Sequence, residues 1–352
     1  MIRNVEESEP MSATKRQMAM VMDLNKCIGC HTCSVACKTL WTSDKGMEQM
    51  LFNTVNTMPG GGTPQNWEKM GGGFPGGEAV LGEMPTTGKF GEAWKFNHQE
   101  VFHGGQGQQV HVKIVGEQPK WGPNWDEDQG GGDYPNAYFF YLPRVCNHCS
   151  HPACLEACPR KAIEKRAEDG VVVVNEDRCR GYRHCMEACP YKKIYFNHLT
   201  KVSQKCIFCY PRLEKGVAQA CARQCPGRVR FVGYRDDRNA PVWKLVDKWK
   251  VALPLHPEYG TEPNVFYVPP IGPARFDGNG NLDESRPRIP DEYLVSLFGD
   301  KVLGAIQVLK AEREKMKSGE RSELMDLLIA YRWAEMLGGF DTDPRTIEWV
   351  KT

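Results

Sequence analysis

All 15 cysteines of this 352-residue chain fall into four clusters, and no other feature limits its fold as strongly. The first cluster is Cys27-x2-Cys30-x2-Cys33-x3-Cys37, and the second is Cys146-x2-Cys149-x4-Cys154-x3-Cys158, followed by Pro159. The third, Cys179-x5-Cys185-x3-Cys189, is followed by Pro190 and is one cysteine short. The fourth is Cys206-x2-Cys209-x11-Cys221-x3-Cys225, followed by Pro226. No cysteine is left over for a disulfide or a thiol nucleophile. Such a chain folds around a row of metal clusters.

A cubane cluster needs one thiolate on each iron, approaching from well-separated directions. Cysteines three apart on a tight loop wrap three corners of one cube. The cysteine four further on, entering a helix, turns away to the other cluster of a pair. Zinc is the rival, because paired C-x2-C units also build tetrahedral sites. Zinc ribbons set two such pairs far apart, whereas here four thiols crowd between Cys27 and Cys37. The Cys-Pro ending also belongs to the bacterial ferredoxin pattern. The expected metal is therefore the iron of these clusters and not zinc, and a disulfide framework suits a chain of this length even less.

Only 20 residues separate Cys158 from Cys179. They read as a turn, Glu168-Asp169-Gly170, and a short strand, Val171 to Val174. That is one two-cluster module, so the second and third motifs share ligands, and the first and fourth pair around them. The crossover rule then gives Cys27, Cys30, Cys33 and Cys225 for one four-iron cluster. It gives Cys37, Cys206, Cys209 and Cys221 for the next, and Cys146, Cys149, Cys154 and Cys189 for a third. Cys158, Cys179 and Cys185 remain for the last site, where Tyr182 stands at the position of the missing thiol. A [3Fe–4S] cluster packed on the tyrosine is the simplest outcome. A four-iron cluster with Tyr182 or His184 as a ligand, and an empty site, are the alternatives. His148, His151 and His184 sit beside ligands, either as hydrogen-bond donors or as packing residues.

An internal repeat supports two modules. Met20-Val21-Met22-Asp23 precedes Cys27 as Val172-Val173-Val174-Asn175 precedes Cys179. Apolar runs resume after the Cys-Pro pairs, at Lys193-Ile194-Tyr195-Phe196 and Val229-Arg230-Phe231-Val232. The expected class is α+β, with two bacterial-ferredoxin-like modules in which the last cysteine of each motif starts a short helix. An outer module takes residues 15–50 plus 200–240, and an inner module 136–199. Residues 51–135 form an insertion, and 241–352 an extended and then helical region.

The insertion carries glycine runs and Trp67, Trp94, Trp121 and Trp125, which suits ordered loops on a partner or a satellite core. None of its glycine runs matches a phosphate-binding loop. Residues 253–290 are proline-rich, and Asp291 to Gly338 reads as helix packing on the modules. With 45 basic and 44 acidic residues no nucleic-acid face is expected, and Arg228-x-Arg230 reads as solvated or subunit-facing surface. Mean hydropathy is −0.52, and no run approaches the ~20 apolar residues of a membrane span. Met1 to Arg16 reads as polar and acidic, with neither an apolar core nor a twin arginine, and is not expected to be a signal peptide.

The stretch Leu142-Pro143-Arg144-Val145-Cys146-Asn147-His148-Cys149-x2-Pro152-Ala153-Cys154-Leu155-x2-Ala157-Cys158-Pro159 resembles the electron-transfer β subunits of the dimethyl-sulfoxide-reductase family of molybdenum enzymes. Three features point to its nitrate-reductase-like branch. They are the aromatic Tyr182, Asn56-x2-Pro59-Gly60 with Trp67-Glu68, and Leu255-His256-Pro257-Glu258-Tyr259-Gly260-Thr261-x-Pro263-Asn264-Val265-x-Tyr267-Val268-Pro269. The likeness runs from Met18 to Pro270, and is nearest to the soluble group that includes ethylbenzene dehydrogenase.

This resemblance implies a non-catalytic subunit relaying single electrons through three [4Fe–4S] clusters and one [3Fe–4S] cluster. The partners implied are a catalytic α subunit with a bis-pterin molybdenum cofactor and a γ subunit with a b-type haem. A self-contained ferredoxin-type enzyme and a cytoplasmic nitrate-reductase-like complex are the competing functions. The expected location is periplasmic, by co-export with a partner carrying a twin-arginine signal, the alternative being cytoplasmic.

Overall fold

The computed structural model describes residues 16–347, except 92–96, 98–99, 102–103, 105–109, 112, 114 and 117–128. Trp94, Trp121 and Trp125, and the N-terminal stretch up to residue 15, lie outside the described residues.

Strand β1 (Met18–Asp23) is apolar on both faces until its last residue, and all six residues are buried. A strand of that pattern belongs in the middle of a sheet. Helix α1 (Thr32–Trp41) follows the first cysteine loop and carries Cys33 and Cys37. Strands β2 (Thr54–Met58) and β3 (Phe140–Arg144) pair antiparallel across the insertion, Thr54 opposite Arg144. The inner module follows as α2 (Ala153–Glu156), hairpin β4 (Ile163–Lys165) with β5 (Val172–Val174), and α3 (His184–Ala188). Hairpin β6 (Ile194–Asn197) with β7 (Val202–Lys205) leads to the fourth motif, whose helix α4 (Ala220–Arg223) precedes β8 (Arg230–Tyr234).

The chain then closes the first sheet. Strands β9 (Leu253–Pro254) and β10 (Val265–Val268) give the order β8-β1-β10-β9. Within it β1 runs antiparallel to β8 and parallel to β10, so Met20 faces Val232 on one side and Val265 on the other. Both ends of the outer module and the segment beyond it thus share one sheet.

The helical stretch from Asp291 divides into four pieces: α5 (Asp291–Phe298), α6 (Lys301–Lys317), α7 (Glu323–Ile329) and α8 (Trp333–Leu337). Gly299 (φ 74°), Gly319 (φ 84°) and Ala330 (φ 52°) lie between them in conformations that a helix cannot continue through. They pack on the cluster modules, where Lys26 Nζ donates to the Leu328 carbonyl at 2.6 Å and Arg228 Nη1 to that of Ala330 at 2.7 Å.

The helices of the cysteine motifs differ from expectation in a regular way. In α2, α3 and α4 the next-to-last cysteine of the motif (Cys154, Cys185 and Cys221) lies inside the helix, and the last cysteine follows its end. The cause is proline, which forces the residue before it out of the α region, and Cys158, Cys189 and Cys225 all precede one. Cys37 precedes Lys38, so α1 runs on to Trp41.

Arg144 and Trp67 join the insertion to the inner module, both fully buried. The guanidinium lies 3.5 Å over the indole ring and donates to Asn56 Oδ1 at 3.1 Å and the Tyr191 carbonyl at 2.6 Å. Trp67 is therefore core of this chain. No described helix is long and apolar enough to cross a membrane.

Candidate metal-cluster sites

Each motif bends its backbone into left-handed conformations between cysteines: Gly29 (φ 68°) and His31 (φ 55°), His148 (φ 43°), Gly181 (φ 68°) and Arg183 (φ 67°), and Phe208 and Cys209 (both φ 54°). Those turns swing successive thiols toward one centre. At Gly29 a Cβ would lie 2.6 Å from the Tyr141 ring, so only glycine fits. Each Cys-Pro pair is followed by one further turn: Lys161, Lys192 and Arg228, three residues on, have φ of 47°, 50° and 50° and donate N–H to the carbonyls of Cys158, Cys189 and Cys225.

Three cavities result, each lined by four thiols. The first, with about 340 Å³ of atom-free space, has Cys27, Cys30, Cys33 and Cys225. The second, about 350 Å³, has Cys37, Cys206, Cys209 and Cys221. The third, about 380 Å³, has Cys146, Cys149, Cys154 and Cys189. In each, thiols from motifs distant in sequence meet in the sets that the crossover rule gives. Cys158, Cys179 and Cys185 also come together: Cys158 and Cys185 pack in one hydrophobic cluster, and at Ser203 the N–H donates to Cys179 Sγ at 3.4 Å while Cys185 Sγ donates to the hydroxyl oxygen at 3.5 Å. Tyr182, beside them in the chain, is 58% exposed, its ring parallel to that of His184 (centroids 6.5 Å, 5°). Among the described residues no group of His, Cys, Asp and Glu converges as the ligands of one ion must.

Burial pushes Cys27, Cys185 and Cys221 up to about 12, and holds Cys37, Cys154 and Cys209 above the usual thiol range too. Thiols so placed stay protonated unless a positive centre offsets their charge, and the iron core of a cluster is such a centre. The surroundings suit thiolate sulfur as well. Trp41 Nε1 donates to Cys209 Sγ at 3.0 Å, Asn53 Nδ2 to Cys33 Sγ at 3.1 Å, and the Phe208 N–H to Cys206 Sγ at 3.3 Å. The N–H groups of Ala162 and Ser203 reach Cys158 Sγ at 3.3 Å and Cys179 Sγ at 3.4 Å. The residues present therefore fit iron–sulfur clusters.

Neighbouring sites share elements: α1 sends Cys33 to the first cavity and Cys37 to the second, adjacent Val145 and Cys146 line the second and third, and Cys189 of the third packs with Cys158 and Cys185. Besides burial, Cys221 is raised by Cys33 and Cys225 of the first cavity. After burial, the next influence on Cys206 is Cys146 of the third cavity. Cys185, in turn, is raised by Cys189 as well as by its own neighbours. First, second, third and fourth sites thus form a row.

Arg230 corrects the expectation of surface: its side chain is fully buried. Nη2 donates to Asn53 Oδ1 at 2.6 Å and Nη1 lies 3.6 Å from Cys221 Sγ. Burial works against its charge, but Cys221, Cys33 and Cys225 more than compensate and hold it raised. The signal was present, since an arginine between Val229 and Phe231 in a doubly buried strand requires an internal anionic partner. Asn53, Trp41 and Gln219, which also approach the thiols, carry no such mark.

A row of thiol-lined, cluster-sized cavities in a ferredoxin-like α+β frame defines an iron–sulfur electron-transfer protein. A family profile described as "4Fe-4S dicluster domain" matches residues 137–235. The chain is 56% identical over 322 residues to the selenate reductase β subunit of Thauera selenatis, covering 90% of this chain and 97% of that one. It is 54% identical over 323 residues to the dimethylsulfide dehydrogenase β subunit of Rhodovulum sulfidophilum (92% and 98%). The chlorate reductase β subunit of Ideonella dechloratans is 56% identical over 323 residues (90% and 97%). The chain belongs to this family, the iron–sulfur β subunits of the nitrate-reductase-like branch of dimethyl-sulfoxide-reductase-family oxidoreductases, and its function is electron transfer.

Proposed function

We propose that this chain is the relay between a molybdenum catalytic subunit and a b-haem subunit, with its 15 cysteines divided among four clusters. Cys27, Cys30, Cys33 and Cys225 hold one [4Fe–4S] cluster; Cys37, Cys206, Cys209 and Cys221 hold a second; Cys146, Cys149, Cys154 and Cys189 hold a third. Cys158, Cys179 and Cys185 hold a [3Fe–4S] cluster. Bound clusters supply one-electron chemistry at potentials that the surroundings adjust.

The observation that carries this reading is the sharing of elements between neighbouring sites, from Cys33 and Cys37 of α1, through adjacent Val145 and Cys146, to Cys189, Cys158 and Cys185 packed in one hydrophobic cluster. The chain's own part is to hold successive thiol sets on shared elements and to bury most of their sulfurs. At one end Cys30 is exposed beside Ile28 (67% exposed), Val35 (62%) and Leu40. This apolar face suits docking of the catalytic subunit. At the other end Tyr182 and Leu199 are exposed, a face for the haem subunit. Thiol ligands that an oxidising compartment would drive to disulfides suit cluster assembly in a reducing compartment followed by export, already folded, to the periplasm with the catalytic subunit.

The test is metal analysis of the purified complex with fractionation of cells. Three four-iron sites and one three-iron site bind about 15 irons in this chain, beside the haem iron and whatever iron the catalytic subunit adds, with molybdenum in that partner. Four complete cubanes, or a three-iron signal coupled to molybdenum rather than haem, overturn the assignment. Deleting only the export signal of the catalytic subunit removes the β chain from the periplasm. A cytoplasmic intact complex refutes the location alone.

A further inference from the structure

Gln219 is buried to 1% exposure, lines the second cavity together with Cys37, Cys206, Cys209 and Cys221, and leaves both of its amide atoms, Nε2 and Oε1, without a hydrogen-bond partner in the protein. Such an amide forfeits its hydration with nothing in return, a condition native proteins rarely keep. Its position deepens the anomaly. Gln219 is the N-cap of α4, where a polar side chain ordinarily closes on the first free N–H groups, yet its side chain makes no capping bond. The backbone carbonyl alone serves the helix, accepting from Ala222 at 3.0 Å and Arg223 at 2.9 Å.

Apart from the thiols, the cavity wall includes Met20, Trp41, Phe52, Val145 and Phe208. A buried water needs two to four polar partners, and this wall supplies few. Sulfur is the abundant polar element, and thiolate and sulfide only accept. The amide group presented to them is consequently Nε2–H, whichever way the amide is drawn. Cys209 Sγ already receives Trp41 Nε1–H at 3.0 Å and the Ala220 N–H, and Cys206 Sγ receives the Phe208 N–H at 3.3 Å.

We propose that Gln219 is a positioning residue for electron transfer, whose Nε2–H donates to a sulfur of the cluster held by Cys37, Cys206, Cys209 and Cys221 and raises the reduction potential of that cluster. An electron added to the cluster increases negative charge on its sulfurs. A donor fixed against them therefore stabilises the reduced form more than the oxidised one. The inference rests on the ligand assignment under Proposed function.

The experiment is a redox titration of the intact complex followed by electron paramagnetic resonance, with the site's signal identified as the one altered in Cys209→Ser. Gln219→Met keeps chain length and removes the donor. It shifts that signal's midpoint to lower potential and leaves the other clusters unmoved. In the wild-type complex, glutamine labelled with ¹⁵N in the side-chain amide gives a hyperfine coupling on this signal, absent in Gln219→Met. A fully populated signal at the wild-type potential in Gln219→Met, or no ¹⁵N coupling in the wild type, overturns the proposal. Should Gln219→Met fail to load the cluster, the wild-type coupling decides by itself. If no signal responds to Cys209→Ser, the ligand assignment falls instead.

Discussion

The indole of Trp41 donates its Nε1–H to Cys209 Sγ at 3.0 Å, joining the helix of the first motif to the loop of the fourth across 168 positions of chain. The bond exists because α1 does not stop at Cys37. One more turn of helix carries Trp41 to the cavity that Cys37 lines. The same bond holds two distant motifs together and places a fixed dipole on a ligand sulfur.

Trp41→Phe keeps a ring in the wall and removes the donor. Hydrogen bonds to charged groups contribute about 1.5–3 kcal/mol. The expected result is a lower midpoint potential at the second site with the fold intact, read by redox titration beside the circular dichroism spectrum. An unchanged potential would deny the bond any electronic role.

Arg230→Met removes the positive group nearest Cys221 and leaves Asn53 Oδ1 without its 2.6 Å donor. Breaking a buried charge pair costs about 3–5 kcal/mol. Iron per chain should fall and the denaturant midpoint drop. Arg230→Lys should restore less than half of either, because an ammonium cannot reproduce the planar fork. Full restoration by lysine would show that only the charge matters.

Tyr182→Cys supplies a thiol at the position where the third motif lacks one. The Tyr182 ring is largely exposed and parallel to His184, so its loss removes no core packing. The three-iron signal should give way to a four-iron one in the purified complex. Persistence of the original signal at full intensity counts against ligand vacancy as the cause.

Glu312 in α6 is buried and accepts from Lys315 Nζ and, at 2.6 Å, from Ser322 Oγ, the N-cap of α7. The Lys315 hydrogen bond first, and then that of Ser322, hold its carboxyl below the usual range. A carboxylate with a depressed folded pKa contributes stability that is full above its unfolded value, about 4.3, and lost as pH falls through the folded value. Amide exchange in α6 and α7 should therefore quicken on acidification below about pH 4.3. Glu312→Gln should make it nearly independent of pH there.

The three thiol sets that line the cavities match those the motif spacing gave, in which the last cysteine of each motif turns away from its neighbours to a second centre. The Cys-Pro pairs fixed where the short helices end, and the alternation at Val229 to Val232 marked β8. The helical reading from Asp291 to Gly338 was right in kind and wrong in continuity. Three left-handed positions break it, and one of them, Ala330, carries no glycine to announce the turn.

By itself, then, the sequence determined which cysteines share a loop and that Tyr182 stands where the third motif is one thiol short, both matters of local spacing. Only the tertiary structure decided which nitrogen faces which sulfur: Asn53 on Cys33, Trp41 on Cys209, Arg230 against Cys221, and Gln219 in the wall of the second cavity. It also decided that β10 completes the sheet of β1, and that His256 sits between Glu68 and Glu258, with ring-nitrogen distances of 3.0 and 2.7 Å. The physical reason is range. Thiol spacing along a loop is set by covalent geometry over a few residues. A hydrogen bond between groups separated by 20 to 188 positions depends on how every intervening element packs.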